Sequence, residues 1–361
     1  MPSSTRGCGS SRGTEGYQVE LHVISNVVVA AIVGGLGGVA WWLRKSLVWR
    51  EAGRELLRRR PIALAVVGLY VTVALLDSIS WVGRSEAGRK SETIVLHKPE
   101  SVIDRLFPAD FEEKSYSAPF AHTEFYGGAS LRYAGRHPLG TDILGRDVMH
   151  LALKGARVAL LIGAFTSVIV IPLALVFGVS AGYFGRRIDD VVFFIMSTLA
   201  SMPGLLLLIA LIVVLGRGTL QVCVALGVTS WVGFCRVVRG ETFKLRELEY
   251  VHAARALGLT DARIILRHVL PNLMHLVVIT FVLLFSGLVL SEAILSWLGI
   301  GIDGSWGQMI DQARDELSRE PIIWWNLTAA AMALFALILA VNVVGDAVRD
   351  VLDPRTLRER L

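Results

Sequence analysis

Glu292 is the residue most out of place in this chain. It stands in LSEAILSW, inside an apolar run, where a carboxylate is costly and becomes a candidate for meeting a polar cargo or an ion. The alternatives are a partner within a helix bundle or a reach to the outer interface. A second concentration of chemistry is EYVHAARALGLTDARIILRHVLPN, residues 249–272, which is polar and basic between two apolar runs. No catalytic constellation is visible in it. The phosphate cradle G-x-x-x-x-G-K-[ST] is absent from the chain, so no ATP site is encoded here. The eight histidines have no metal-ligand spacing, and Cys8, Cys223 and Cys235 form no CxxC pair.

The elements that must carry these residues are apolar helices. The 361 residues are 53% hydrophobic with a mean hydropathy of +0.57, beyond an ordinary soluble domain. Seven segments approach the ~20 residues that cross a bilayer as helix. They lie near 21–43, 62–82, 157–180, 191–215, 219–238, 273–296 and 322–344. A helix is expected throughout, because lipid satisfies no backbone donor or acceptor. The fold class is therefore all-α, a polytopic membrane protein.

Charge sets the orientation. Arg44, Lys45, Arg50 and Arg54 follow the first segment; Arg186 and Arg187 lie in the 184–190 loop; Arg236, Arg239, Lys244, Arg246, Arg255, Arg263 and Arg267 crowd 236–271. The tail adds Arg349, Arg355, Arg358 and Arg360. The positive-inside rule puts these in the cytoplasm and 83–156 outside. The same reading explains the pI near 9.3 without nucleic acid. The first segment reads as an extra span rather than a signal sequence, since its basic cluster follows the apolar run. Gly34, Gly35, Gly37 and Gly38 suit close helix packing there. Pro172 and Pro203 are breaks that spans tolerate. In the outer region, Thr141 or Asp142 is placed to cap a helix running into the third span.

Within 241–257, apolar positions recur at helical spacing, and Gly258 is placed to end that helix in a left-handed conformation. Thr260 is placed to cap a second helix, with Asp261 at its positive end and Pro271 at the entry to the next span. Two short helices at an angle are expected, with Ala253 and Ala254 small enough for a partner to approach closely. The plainer reading is an amphipathic linker on the headgroups.

HAARALGLTDARIILRHVLP resembles the EAA loop of binding-protein-dependent ABC importer permeases. It matches at Ala253, Ala254, Gly258, Leu270 and Pro271, and departs at His252, where the pattern has Glu, and at His268, where it has Ile. HPLGTDILGRDV, residues 137–148, resembles a signature of the oligopeptide, dipeptide and nickel permease subfamily, carried by Gly140, Thr141, Asp142, Gly145, Arg146 and Asp147. SWLGIG (296–301), SWGQMI (305–310) and GDAVRDVLDPR (345–355) are similar to its C-terminal half. The likeness runs over roughly 60–355, leaving the first segment and much of 85–130 outside.

The resemblance implies the type I importer permease fold with six core spans, to which the apolar run at 21–43, outside the likeness, adds one extra N-terminal span. Together with the hydropathy and charge pattern it gives this organisation: an extension over 1–61 with the extra span and a basic cytoplasmic segment, a first core span at 62–82, an outer insertion over 83–156, a permease domain over 157–346 containing a coupling loop at 240–272, and a cytoplasmic tail over 347–361. It implies a bacterial inner-membrane subunit moving peptides, nickel complexes or similar solutes. Its partners would be a second permease subunit, two cytoplasmic ATPase subunits that bind the ATP, an extracytoplasmic substrate-binding protein and membrane lipid. The chain itself would hold no cofactor or metal and would not be an enzyme. Glu249, His252, Ala253, Ala254, Gly258, Leu270 and Pro271 would couple it to the ATPases. The rivals are an ion-coupled secondary transporter, which needs mid-membrane carboxylates or broken helices in repeated halves, and a channel or scaffold of a membrane complex.

Overall fold

A computed structural model describes residues 57–58, 60–81, 100–107, 113–216 and 218–352. The expected extra span at 21–43 with its glycines, most of the basic segment after it, part of the outer insertion and the end of the tail lie outside the described residues. The chain divides into two compact units, whose described residues fall within 69–157 and within 57–68 with 158–352.

Helix α1 is Pro61–Ser78, the first core span, with proline at its first position, where a missing N–H costs nothing. The first unit contains its end and a pair of two-residue antiparallel strands, β1 Ser80–Trp81 and β2 Glu100–Ser101. Ser101 starts α2, Val102–Leu106, with a capping box: its hydroxyl accepts from the Asp104 N–H while Asp104 accepts from the Ser101 N–H. Asp104 also binds Nε2 of His150 at 2.9 Å and the Lys154 ammonium. Burial would push its carboxyl up. The hydrogen bonds from His150, Lys154 and the Ser101 N–H outweigh this and hold it well below the usual carboxylate range.

Helix α3, Val148–Phe184, is a single helix of 37 residues. At 1.5 Å per residue it is roughly 55 Å long, well beyond the ~30 Å of hydrocarbon. Pro172 lies inside it without ending it. The expected cap is corrected here. Thr141 and Asp142 sit in a preceding turn, and Asp147 starts the helix, its Oδ1 accepting from the Met149 and His150 N–H groups at 2.7 and 3.2 Å. Asp147 wins because the chain before it is committed to the turn described below.

The segment expected as one span over 191–215 is two helices, α4 Arg186–Ala200 and α5 Gly204–Leu215, bent by 90°. Pro203 precedes α5, where it has no N–H to donate to α4 and disfavours helix at Met202. The other core spans are α6 Thr219–Arg246, α9 Leu270–Trp297 and α11 Trp325–Leu352. Among the described residues five helices are long and apolar enough to cross a membrane, and the bent pair makes up to six. The all-α polytopic expectation holds.

Helix α6 is the most enclosed, with 56% of its apolar window buried against 17–33% in the other four long helices. It can be central because neighbours reach its backbone. A Cβ on Gly182 of α3 would lie 2.8 Å from the Arg239 carbonyl oxygen and 2.6 Å from Thr242 Cβ, and one on Gly178 would lie 2.9 Å from the Cys235 carbonyl oxygen. The two glycines, four apart, let α3 rest directly on α6. One apolar cluster joins Ala174, Tyr183, Val192, Trp231, Val238 and Leu273; another joins Ile162, Ile212, Leu226 and Leu295.

Candidate functional site: a braced polar hairpin

The polar hairpin begins where α6 ends. Glu247 closes α6, Leu248 turns the chain, and α7 runs Glu249–Ala256. Its exit is a Schellman corner. The Gly258 N–H donates to the Arg255 carbonyl at 3.0 Å, and the Leu259 N–H to the Ala254 carbonyl at 3.2 Å. Gly258 has φ +79°, a left-handed conformation that a residue without Cβ adopts freely, and no heavy atom lies within 4 Å of where a Cβ would stand. The chain then enters α8, Asp261–Ile264, passes a π-helical turn at Ile265–Val269, and continues as α9 from Leu270.

Two expectations change here. The second short helix is not separate, because 261–297 forms one continuous helical path into the span. Thr260 occupies the cap position, but its side chain makes no capping hydrogen bond. Pro271 falls in the first turn of α9, where a proline is tolerated.

The faces of the hairpin are sharply divided. Val251, Ala254, Ile264 and Val269 are buried in the first cluster. Glu249, Tyr250, His252, Ala253, Arg255 and Gly258 are exposed. Leu257 projects at the corner, 80% exposed. Ala254, which falls on the apolar period of 241–257 and was also expected to let a partner approach, points inward, and Leu257, the last apolar position of that period, points out. The corner reverses the chain at residue 257, so the helical period stops one residue before it.

Directional contacts brace the hairpin against the ends of α3 and α6. The Tyr183 hydroxyl donates to Asp261 Oδ1 at 2.7 Å, and the Arg255 guanidinium lies 5.5 Å from the Tyr183 ring centroid. Arg246 donates to the Gly182 carbonyl at 3.2 Å and to Glu247 at 2.8 Å. Arg239 grips Asp189 through two hydrogen bonds of 2.5 and 2.7 Å, tying α6 to α4. Asn272 donates to Tyr250 Oη at 3.1 Å, and to the His268 carbonyl at 2.6 Å.

The 137–147 motif builds a compact turn in the first unit. His137 Nδ1 and Asp147 Oδ2 are 2.9 Å apart and both side chains are buried. Thr141 Oγ1 accepts from the Ser117 N–H at 2.7 Å and donates to the Ser115 carbonyl at 2.9 Å. Asp142 accepts from the Leu144 and Arg146 N–H groups and from the Arg146 guanidinium, between 2.7 and 2.9 Å. Gly140 and Gly145 have left-handed φ values. A Cβ on Gly145 would collide with the Glu113 carbonyl, and the Glu113 carboxylate in turn accepts from the Arg132 and Tyr133 N–H groups at 3.1 and 2.7 Å. Every polar member named serves the turn itself. Glu113 had no signal in the sequence, because its partners lie 19 and 20 residues away.

Glu292 is 3% exposed. Its Oε1 accepts from the Ser296 hydroxyl at 2.5 Å, one helical turn on. Ser296 Oγ in turn accepts from the Ile302 N–H at 3.2 Å and the Ser305 hydroxyl at 3.0 Å. Ser305 is also the N-cap of α10, Trp306–Glu316. This knot folds the 298–305 turn and α10 back onto α9. The sequence also carries a G-x-S-x-G spacing at 178–182, the pattern of a nucleophile elbow. Here it lies inside α3, where both glycines face α6, and forms no strand-to-helix turn.

Comparison with known proteins follows the same lines. Residues 174–358 match the family described as "Binding-protein-dependent transport system inner membrane component". The chain is 31% identical over 316 residues to the oligopeptide transport system permease protein OppC of Bacillus subtilis (strain 168), covering 86% of this chain and 92% of that protein. It is 38% identical over 229 residues to the dipeptide transport system permease protein DppC of the same organism, covering 62% and 70%. A chain of the MetNI methionine ABC transporter in an inward-facing conformation aligns with a TM-score of 0.47 and 21% identity, over 57% of this chain and 98% of that one. The chain belongs to the family of inner-membrane components of binding-protein-dependent transport systems. It is a multi-pass inner-membrane permease subunit of an ABC importer.

Proposed function

We propose that this subunit moves peptides or chemically similar small solutes, and that the 249–272 hairpin is its cytoplasmic docking element for a separate ATPase chain. It works beside a second permease subunit, above two ATPases that bind the ATP, and receives cargo from an extracytoplasmic binding protein. The cargo class rests on the names of its relatives, which are oligopeptide and dipeptide permeases.

The division of the hairpin's faces carries the docking reading. A linker resting on headgroups has no need for a Schellman corner presenting an 80% exposed leucine. It has no need, either, for buried side chains that lock its other face into the span cluster. A rigid element with one face fixed and one offered suits a part that must transmit displacement in both directions. His252, where related loops carry Glu, is exposed and 3.8 Å from Glu247, so it presents a different charge to the partner.

The test is co-purification. The permease pair is expressed with its ATPases, reconstituted in nanodiscs and assayed with the binding protein and a mixture of short peptides. ATP hydrolysis is expected to rise on adding the loaded binding protein. Failure to associate with an ATPase, or uptake driven by a proton or sodium gradient without ATP, would overturn the reading in favour of the ion-coupled or channel alternatives.

A further inference from the structure

The Tyr183 hydroxyl belongs to the end of one span and bonds to the start of another, 78 residues later. Tyr183 is 4% exposed, and its ring lies under the Arg255 guanidinium of α7. One side chain of α3 thus touches two further elements: the docking helix α7, and α8 at the root of the helical path into α9. Beside it is an open cleft of about 690 Å3, lined by Tyr183, Arg246, Glu247, His252, Arg255 and Asp261 among others. On that flank α7 has space next to it rather than packed side chains.

We propose that Tyr183 is a positioning residue for coupling, clamping α7 and the root of α9 to the end of α3 so that a push on the hairpin moves the spans as one body. The inference rests on the docking reading above and names the part that makes the hairpin stiff. The buried face of α7 contributes Val251 and Ala254, small apolar groups whose contacts are non-directional and resist sliding weakly. A hydrogen bond to a carboxylate and a cation over a ring have preferred geometries and fix register. Arg246, bonded to the Gly182 carbonyl at the same helix end, keeps the anchor point in place. Without the hydroxyl, the start of α8 is no longer tied to the end of α3, so the hairpin can shift towards the cleft before α3 follows, and part of the ATPase stroke is spent on the hairpin alone.

The experiment uses the full complex in nanodiscs, and reads stimulation of ATP hydrolysis by the binding protein loaded from a short-peptide mixture. Tyr183→Phe keeps the ring and removes one hydroxyl. Asp261→Ala removes the acceptor, while Asp261→Asn keeps one. Stimulation is expected to fall about three-fold or more in Y183F and in D261A, the scale of one net hydrogen bond. The double variant should be no worse than the worse single, because both remove the same contact. D261N should retain most of the stimulation. Subunit stoichiometry and melting temperature should stay near wild type throughout. Wild-type stimulation in Y183F, losses that multiply in the double variant, or a loss that tracks a fallen melting temperature would each overturn the clamp. A wild-type chain that binds no ATPase would overturn the docking reading itself, an outcome separate from a coupled wild type with an equally coupled Y183F.

Discussion

Gly258→Val is expected to reduce ATP-driven uptake at least ten-fold while the chain still inserts and its melting temperature moves by only a few degrees. The reason is conformational rather than steric. Gly258 has φ +79° and open space around the missing Cβ, so valine meets no neighbour. It meets its own backbone instead: the left-handed region costs an ordinary residue roughly 1–2 kcal/mol, and a β-branched one more. The Schellman corner then opens, and with it go the hydrogen bonds from Gly258 to Arg255 and from Leu259 to Ala254. Leu257 loses its fixed position while Val251 and Ala254 keep the helix attached. Gly258→Asn separates strain from bulk, since asparagine tolerates the left-handed region. It should retain most of the uptake. Uptake into proteoliposomes with a detergent melting curve measures both; equal losses in the valine and asparagine variants would point to the glycine's size, not its φ.

Gly182→Val should have a large effect on folding. Its Cβ would stand 2.6 Å from Thr242 Cβ and 2.8 Å from the Arg239 carbonyl oxygen, a backbone atom that cannot step aside. Overpacking of this kind costs about 1–3 kcal/mol or more, and the separation it forces also pulls Arg239 from Asp189 and Arg246 from the Gly182 carbonyl. Membrane yield should collapse, and the buried thiols of Cys223 and Cys235 should become reactive at a markedly lower temperature. Gly240→Ala on α6, where nothing lies within 4 Å, is the control and should change neither. Thiol-reactive dye fluorescence on heating reads all three chains.

What the sequence made legible follows from the range of each signal. Hydropathy found the spans because burial in lipid is demanded residue by residue. The break within 191–215 was hidden because hydropathy is blind to direction: the bend lies at Pro203, and Val192, Phe193 and Ile195 before it are as apolar as Leu205, Leu206 and Val213 after it. Gly258 was readable because a helix stop is local chemistry. Ala254 was readable in part: it falls on the apolar period of 241–257 with Val251, beside which it is buried, while its small size alone gave no reason to separate it from Ala253 as an approach surface. The cap of α3 went to Asp147 because Thr141 and Asp142 are held by Ser115, Ser117 and Arg146, partners the helical pattern does not contain. Tyr183 and Asp261, 78 positions apart, leave no local trace at all.

The exposed face of α7 as an ATPase handle is tested most directly by site-specific crosslinking at neighbouring alanines. Cysteines introduced singly at Ala253 and Ala254, in a chain otherwise free of cysteine and assembled with its ATPases, should behave oppositely. Ala253→Cys, exposed, should capture the ATPase chain with a short bifunctional reagent, in a yield that changes with nucleotide. Ala254→Cys, buried against the spans, should not. Equal failure at both positions, or labelling of Ala253→Cys by an impermeant reagent from outside sealed cells, would contradict a cytoplasmic docking face on this hairpin.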